Sequence, residues 1–152
     1  MKWTPNDMDM YLQAKEYVDT ALIPLVPVSF AENMKQSASM KDFTDILTVE
    51  IERQFKGRIM LLPQLAYLSA LDEEKRLELA AGWARELKEQ GFAHVFYITS
   101  DSEWKENEQE LEGSLIWIPS IPLEHLEEKH KKPMIDDQVR QVLAIFTRKW
   151  HE

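Results

Sequence analysis

Apolar residues fall along this chain in two kinds of pattern. Short unbroken runs occupy residues 21–28, 58–63, 92–99 and 114–119. Continuous apolar runs of this length mark strands buried on both faces. Between them the apolar positions recur every three or four residues, the period of a helix with one buried stripe. Thr4 and Pro5 suit the N-cap and first position of an opening helix, with Asp7 where a capping-box acid stands. Met8, Tyr11, Leu12 and Val18 give that helix a loose stripe, and it is expected to end near Asp19. After a loop over residues 29–40, Phe43, Ile46, Leu47, Ile51 and Phe55 form a second helix, framed by Ser39 and Asp42 and stopped by Gly57. A third opens at Asp72 and closes at Gly91, and its Leu77, Ala80, Ala81, Trp83, Ala84 and Leu87 are expected to face inward. A last helix carries Val139, Val142, Leu143, Phe146 and Trp150, with Asp136 and Asp137 at its N-terminal end after a loop containing Pro119, Pro122 and Pro133.

Strands alternating with helices of this length predict right-handed βαβ crossovers. The expected fold is α/β: a single three-layer α/β/α domain over residues 1–152 with a mainly parallel four-stranded sheet. Pro24 and Pro27 interrupt the first run, so part of that strand must lie at an edge or be irregular.

Charge and composition narrow the function classes. The net charge is −9, from 27 acidic and 18 basic residues. A field of that sign repels phosphate backbones, and the short basic stretch Lys129, Lys131, Lys132 sits among Glu124, Glu127 and Glu128, so nucleic-acid binding is not expected. Cysteine is absent, which excludes disulfides, Cys-zinc sites and a thiol nucleophile. No apolar run is long enough for a membrane span, and the N-terminus lacks a signal-peptide pattern. A cytoplasmic location is the expectation.

Ligands of open parallel sheets bind at the carboxyl ends of strands. With only 4 glycines, no dinucleotide or phosphate loop stands there. His94, His125, His130 and His151 form no metal-binding pair. What remains are acids, Glu32, Asp42 and Asp101, which would suit a divalent ion such as Mn²⁺ or Zn²⁺ if they converged. Asp42 serving only its helix and Asp101 only starting the acidic 101–112 segment is the plainer reading. Among the 5 tryptophans, Trp83, Trp117 and Trp150 have core-like spacing. Trp3 and Trp104 stand in polar surroundings, where each is either a partner anchor or an aromatic covering the rim of a core. Phe30, Tyr67 and Trp104 are candidates to line an apolar pocket at the strand ends.

Two resemblances add to this. Residues 1–25, from Met1-Lys2-Trp3 to Ile23-Pro24-Leu25, and Glu52-Arg53-Gln54-Phe55-Lys56-Gly57-Arg58 resemble the YpiF-type family of spore-forming bacilli, a family without assigned activity. The resemblance implies such a host and a cytoplasmic location. Pro27-Val28-Ser29-Phe30-Ala31-Glu32, Leu61-Leu62-Pro63-Gln64-Leu65-Ala66-Tyr67 and the passage from Gln90 to Thr99 are similar, in order and spacing, to strand ends of creatininase-type metal amidohydrolases. That implies a creatininase-like, Rossmann-like scaffold. The family's two motif histidines fall on Met34 and Asp101, and only Glu32 carries over. The combined expectation is a non-catalytic interaction or assembly factor on a degenerate amidohydrolase-like scaffold, needing no cofactor and binding a protein partner or a second copy. The alternative is a divergent metal-dependent hydrolase of a small amide or ester using Glu32, Asp42 and Asp101.

Overall fold

The computed structural model describes residues 1–152. Its elements run α1 (Pro5–Gln13), β1 (Thr20–Val28), α2 (Met34–Gln54), β2 (Ile59–Leu61), β3 (Leu65–Leu68), α3 (Glu73–Glu89), β4 (His94–Thr99), β5 (Ser114–Trp117) and α4 (Glu128–Trp150). Short 3-10 segments cover Lys15–Tyr17, Ser102–Glu110 and Leu123–His125.

The sheet has five strands, all paired in parallel. The expected four become five because a further short strand, β3, follows the 58–63 run beyond Pro63. β2 pairs with the first part of β1 (Thr20 to Leu22), and β3 pairs with its last part (Leu25 to Val28). Pro63, which has no N–H to donate, stands in the gap. On the other side β1 pairs with β4, and β4 with β5.

Both prolines of β1 sit where no ladder bond is required. The Leu22 carbonyl accepts from Leu62 N–H at 3.0 Å and the Val28 carbonyl from Ser69 N–H at 2.9 Å, so even-numbered residues of β1 turn their backbone toward β2 and β3. Pro24 therefore faces the gap around Pro63. Odd-numbered Pro27 faces the β4 side, beyond Pro24↔Ile98, the last paired position there. A central strand accommodates proline because each neighbour ends or breaks opposite it.

Alternate residues feed two apolar layers. Ala21, Ile23, Leu25, Val95 and Tyr97 pack under α3 with Ala80, Ala84 and Leu87. Leu22, Phe96, Ile98 and Ile116 pack under α2 and α4 with Phe43, Leu47, Val142 and Phe146. Helices thus cover both faces.

Several boundaries differ from the periodicity. α1 stops at Gln13 rather than near Asp19, although Thr4 caps it as expected, accepting from Asp7 N–H at 3.2 Å. α2 starts at Met34, so Ser39 and Asp42 lie inside it. α4 starts at Glu128 and carries Pro133 within it. Gly91 closes α3 with φ 105°, while Phe92 N–H bonds the Leu87 carbonyl and Gly91 N–H that of Lys88, a Schellman arrangement. The acidic 102–110 segment is a 3-10 stretch anchored by buried Trp104 and Asn107.

Candidate functional site

The crossover through α2 carries the chain from β1 to β2 on one side, and that through α3 carries it from β3 to β4 on the other. The reversal lies between β1 and β4, and a crevice is expected outside their carboxyl ends. A small polar cleft of about 80 Å³ lies there, lined by Pro27, Asn33, Ser37, Ser69, Asp101 and Glu103 among others.

The residues expected to form an apolar pocket here divide. Phe30 projects into solvent, 77% exposed. Tyr67 and Trp104 are buried and meet edge to face at 5.4 Å. They form a closed relay rather than a pocket wall. The Trp104 Nε1–H donates to Tyr67 Oη at 2.7 Å, and the Tyr67 hydroxyl donates to Asp101 Oδ2 at 2.6 Å. Burial, then the bond to the Asp101 carboxylate, pushes the Tyr67 phenol far above its ordinary range, so it stays protonated. Asp101 Oδ1 accepts from Glu103 N–H at 3.1 Å, capping the 3-10 segment. Arg76 lies over Trp104, 5.1 Å from the ring, and pairs with Glu103 at 3.2 Å. These bonds hold the 3-10 segment against β3 and α3.

The acids expected as alternative metal ligands do not come together. Glu32 is exposed in the loop after β1, and Asp42 is exposed partway along α2. No group of three or more His, Asp or Glu is arranged to hold a metal ion. His94 starts β4, at the opposite end of the sheet from the cleft. At the cleft, the Ser29 hydroxyl bonds Asn33 Oδ1 and the Ser37 hydroxyl bonds the Met34 carbonyl at 2.8 Å. Neither hydroxyl bonds a carboxylate or an imidazole that would activate it.

A larger feature lies elsewhere. Between α1, α3 and the edge strand β2 runs an apolar groove of about 380 Å³, whose walls include Trp3, Tyr11, Leu12, Met60, Leu62 and Trp83. Its polar lining residues are Lys15, Glu86 and Gln90. No residue of α1 is buried. Trp3, Leu12 and Trp83 are 58%, 63% and 37% exposed. Trp3 is held in place by the residues before it. The Met1 ammonium pairs with the buried Glu52 carboxylate at 3.0 Å, and Lys2 bridges to Leu61 at the sheet edge. Beyond Trp83 the groove continues as a shallower face of α3 with Glu78, Leu79 and Gly82.

The sequence signalled this groove only through Trp3, an aromatic in polar surroundings. Trp104, read the same way, is instead fully buried. Trp83, expected in the core, faces outward on the groove wall. Gly82 was missed. A glycine inside a helix costs roughly 1 kcal/mol against alanine, and a methyl group there would meet nothing within 4 Å. That isolated glycine was the available signal.

A family model described as "Protein of unknown function (DUF2487)" matches residues 9–150. The "Uncharacterized protein YpiF" of Bacillus subtilis (strain 168) is 35% identical over 153 residues, covering 99% of this chain and 98% of that protein. No solved structure matches. No helix is long and apolar enough to cross a membrane.

Proposed function

The chain belongs to the DUF2487 family of proteins of unknown function, and from that footing we propose that it is a non-catalytic interaction factor that binds an apolar partner segment in the groove between α1 and α3. One observation carries the reading. Trp3, Leu12 and Trp83 stay substantially exposed around a concave apolar surface. Contiguous apolar surface of this kind marks interaction sites in soluble proteins, and tryptophan is the residue most enriched at binding hot spots. The closed Tyr67–Asp101 relay, and the bonding of the Ser29 and Ser37 hydroxyls to an amide and a carbonyl rather than to a base, favour binding over catalysis at the strand ends.

The kinship to creatininase-type amidohydrolases belongs to the same proposal. It is supported by the parallel order of the sheet, by Glu32 following β1 and by Tyr67 in β3. In that comparison Met34 and Asp101 occupy the motif histidine positions, and Asp101 here caps a 3-10 segment and accepts from Tyr67. A scaffold altered in this way keeps its shape and loses hydrolysis.

Affinity capture from native lysate tests the reading when the wild-type chain is compared with Leu12→Glu. Leu12 is 63% exposed, so the substitution leaves the fold intact. A protein retained by the wild type and lost with Leu12→Glu is the expected result. Equal recovery with both chains, or recovery of nothing, refutes it.

A further inference from the structure

Resting on the groove reading, we propose that the occupant is an amphipathic helix of a protein partner, apolar on one face and basic at its flanks, crossing α3 closely at Gly82. Three observations converge on that occupant.

The first is the glycine. Gly82 is exposed in the middle of α3, and a Cβ built there meets nothing within 4 Å. Its φ is not positive, so no backbone demand explains it. The isolated chain would gain helix propensity from alanine at no steric cost. A residue without a side chain at such a place lets another backbone approach.

The second is shape. Glu78, Leu79, Gly82, Trp83, Glu86 and Gln90 repeat at three- and four-residue intervals and share one face of α3. From Glu78 to Gln90 this face spans about 18 Å, some three helical turns. At one end it opens into the cavity walled by α1, where Trp3 and Leu12 stand. A shallow helix face that runs into an apolar groove is a surface on which a partner helix docks with anchors every three or four residues.

The third is charge. Glu78 and Glu86 border this face, and neither has a basic partner. Of the cations on α3, Arg85 turns to the Glu112 carboxylate at 3.4 Å and Lys88 to the Glu112 carbonyl, while Lys75 stands exposed at the far end of the face, three residues before Glu78. Lys15 stands over the Tyr11 ring. On a chain of net charge −9 this surface attracts a basic partner. It also disfavours a second copy, since a two-fold contact would set these glutamates against their own kind.

The test uses the full chain and an 18-residue tryptophan-free peptide of leucine and lysine arranged as an amphipathic helix. The controls are a scrambled peptide of the same composition and one with glutamate for lysine. The expected result is a saturable blue shift of tryptophan emission with the ordered Leu/Lys peptide alone. Trp83→Ala weakens binding about tenfold. Gly82→Ala raises the melting temperature of the free chain yet weakens binding severalfold, and a lost fold cannot produce that combination. Equal binding of ordered and scrambled peptides overturns the proposal. So does Gly82→Ala with unchanged affinity, or sedimentation showing a dimer that Gly82→Arg dissociates, which assigns the face to a second copy. If the peptide fails while lysate capture still depends on Leu12, the groove reading stands and the helix assignment falls.

Discussion

At Asp19 a single carboxylate ties the start of β1 to the C-terminal helix. It accepts from Arg58 at 3.0 and 3.2 Å and from the Thr20 hydroxyl at 2.8 Å. The Arg58 guanidinium lies 3.9 Å from the Trp150 ring, and the Trp150 indole N–H returns to Thr20 Oγ1 at 2.9 Å. Burial by itself would raise the Asp19 carboxyl, but the bonds from Arg58 and Thr20, with the charges of Arg58 and His94, outweigh it and hold the group below its usual range. A carboxyl lowered on folding contributes stability above its unfolded value, about pH 4, and loses it as the pH falls through the folded value. Asp19→Asn is therefore expected to cost about 1 kcal/mol at pH 7, the scale of a partly exposed pair. The gap to wild type should narrow as the pH falls from 4 toward 3. Urea denaturation at the two pH values checks this, and a gap of unchanged size at pH 3 contradicts it.

Elements depend on close approaches that hydropathy does not record. Gly113 leads into β5, and a Cβ there would lie 2.8 Å from the Val95 carbonyl oxygen and 2.8 Å from the Tyr97 ring. The carbonyl belongs to β4 and cannot yield without disturbing the ladder. Gly113→Ala is expected to destabilise the fold by roughly 1–3 kcal/mol. Gly57→Ala, where the added methyl meets nothing within 4 Å, should be close to neutral. Urea midpoints of the two variants separate the cases, and equal midpoints sink the argument. The same limit explains what the sequence made legible. Runs such as 92–99 and stripes such as Val139, Val142 and Phe146 reveal strands and helices because burial imposes their period. The break at Pro63 was not legible, because whether a strand ends or resumes at Leu65 depends on β1 remaining alongside to pair with it. The 102–110 segment is mostly acidic, and only its contacts with Tyr67 and Arg76 order it. At the candidate site, composition distinguished Trp3 from the core. It could not distinguish Trp104, because the partner that satisfies the Trp104 indole comes from 37 residues away.

The whole molecule sets the ionisation of its phenols. Tyr67 and Tyr97 both lie in the layer between the sheet and α3. Burial, followed by the bond to Asp101 at Tyr67 and the charge of Glu112 at Tyr97, raises both above the usual tyrosine value. The Tyr97 hydroxyl donates to the Ala80 carbonyl at 2.7 Å, so neither phenol can lose its proton while the layer stays closed. The sign follows from linkage. A group whose pKa rises on folding contributes stability that is complete below the unfolded value, near pH 10, and declines as the pH climbs above it. With two such groups the unfolded chain releases two protons that the folded chain keeps. As the pH climbs past 10, unfolding should become easier along a slope that rises toward about 2.7 kcal/mol per pH unit from these groups alone. Tyr67→Phe removes one of them. It lowers stability at neutral pH, because the Trp104 N–H loses its acceptor and Asp101 its donor, at about 1–3 kcal/mol. It should also flatten the alkaline slope, by up to about 1.4 kcal/mol per pH unit. Absorbance titration at the phenolate band, run beside denaturation from pH 9 to 11.5, reads both effects. In the wild type, two of the 4 tyrosines should ionise only together with unfolding. Smooth ionisation of all of them ahead of the unfolding transition would mean that the layer between the sheet and α3 opens locally, and that Tyr67 and Asp101 are not the closed pair their geometry describes.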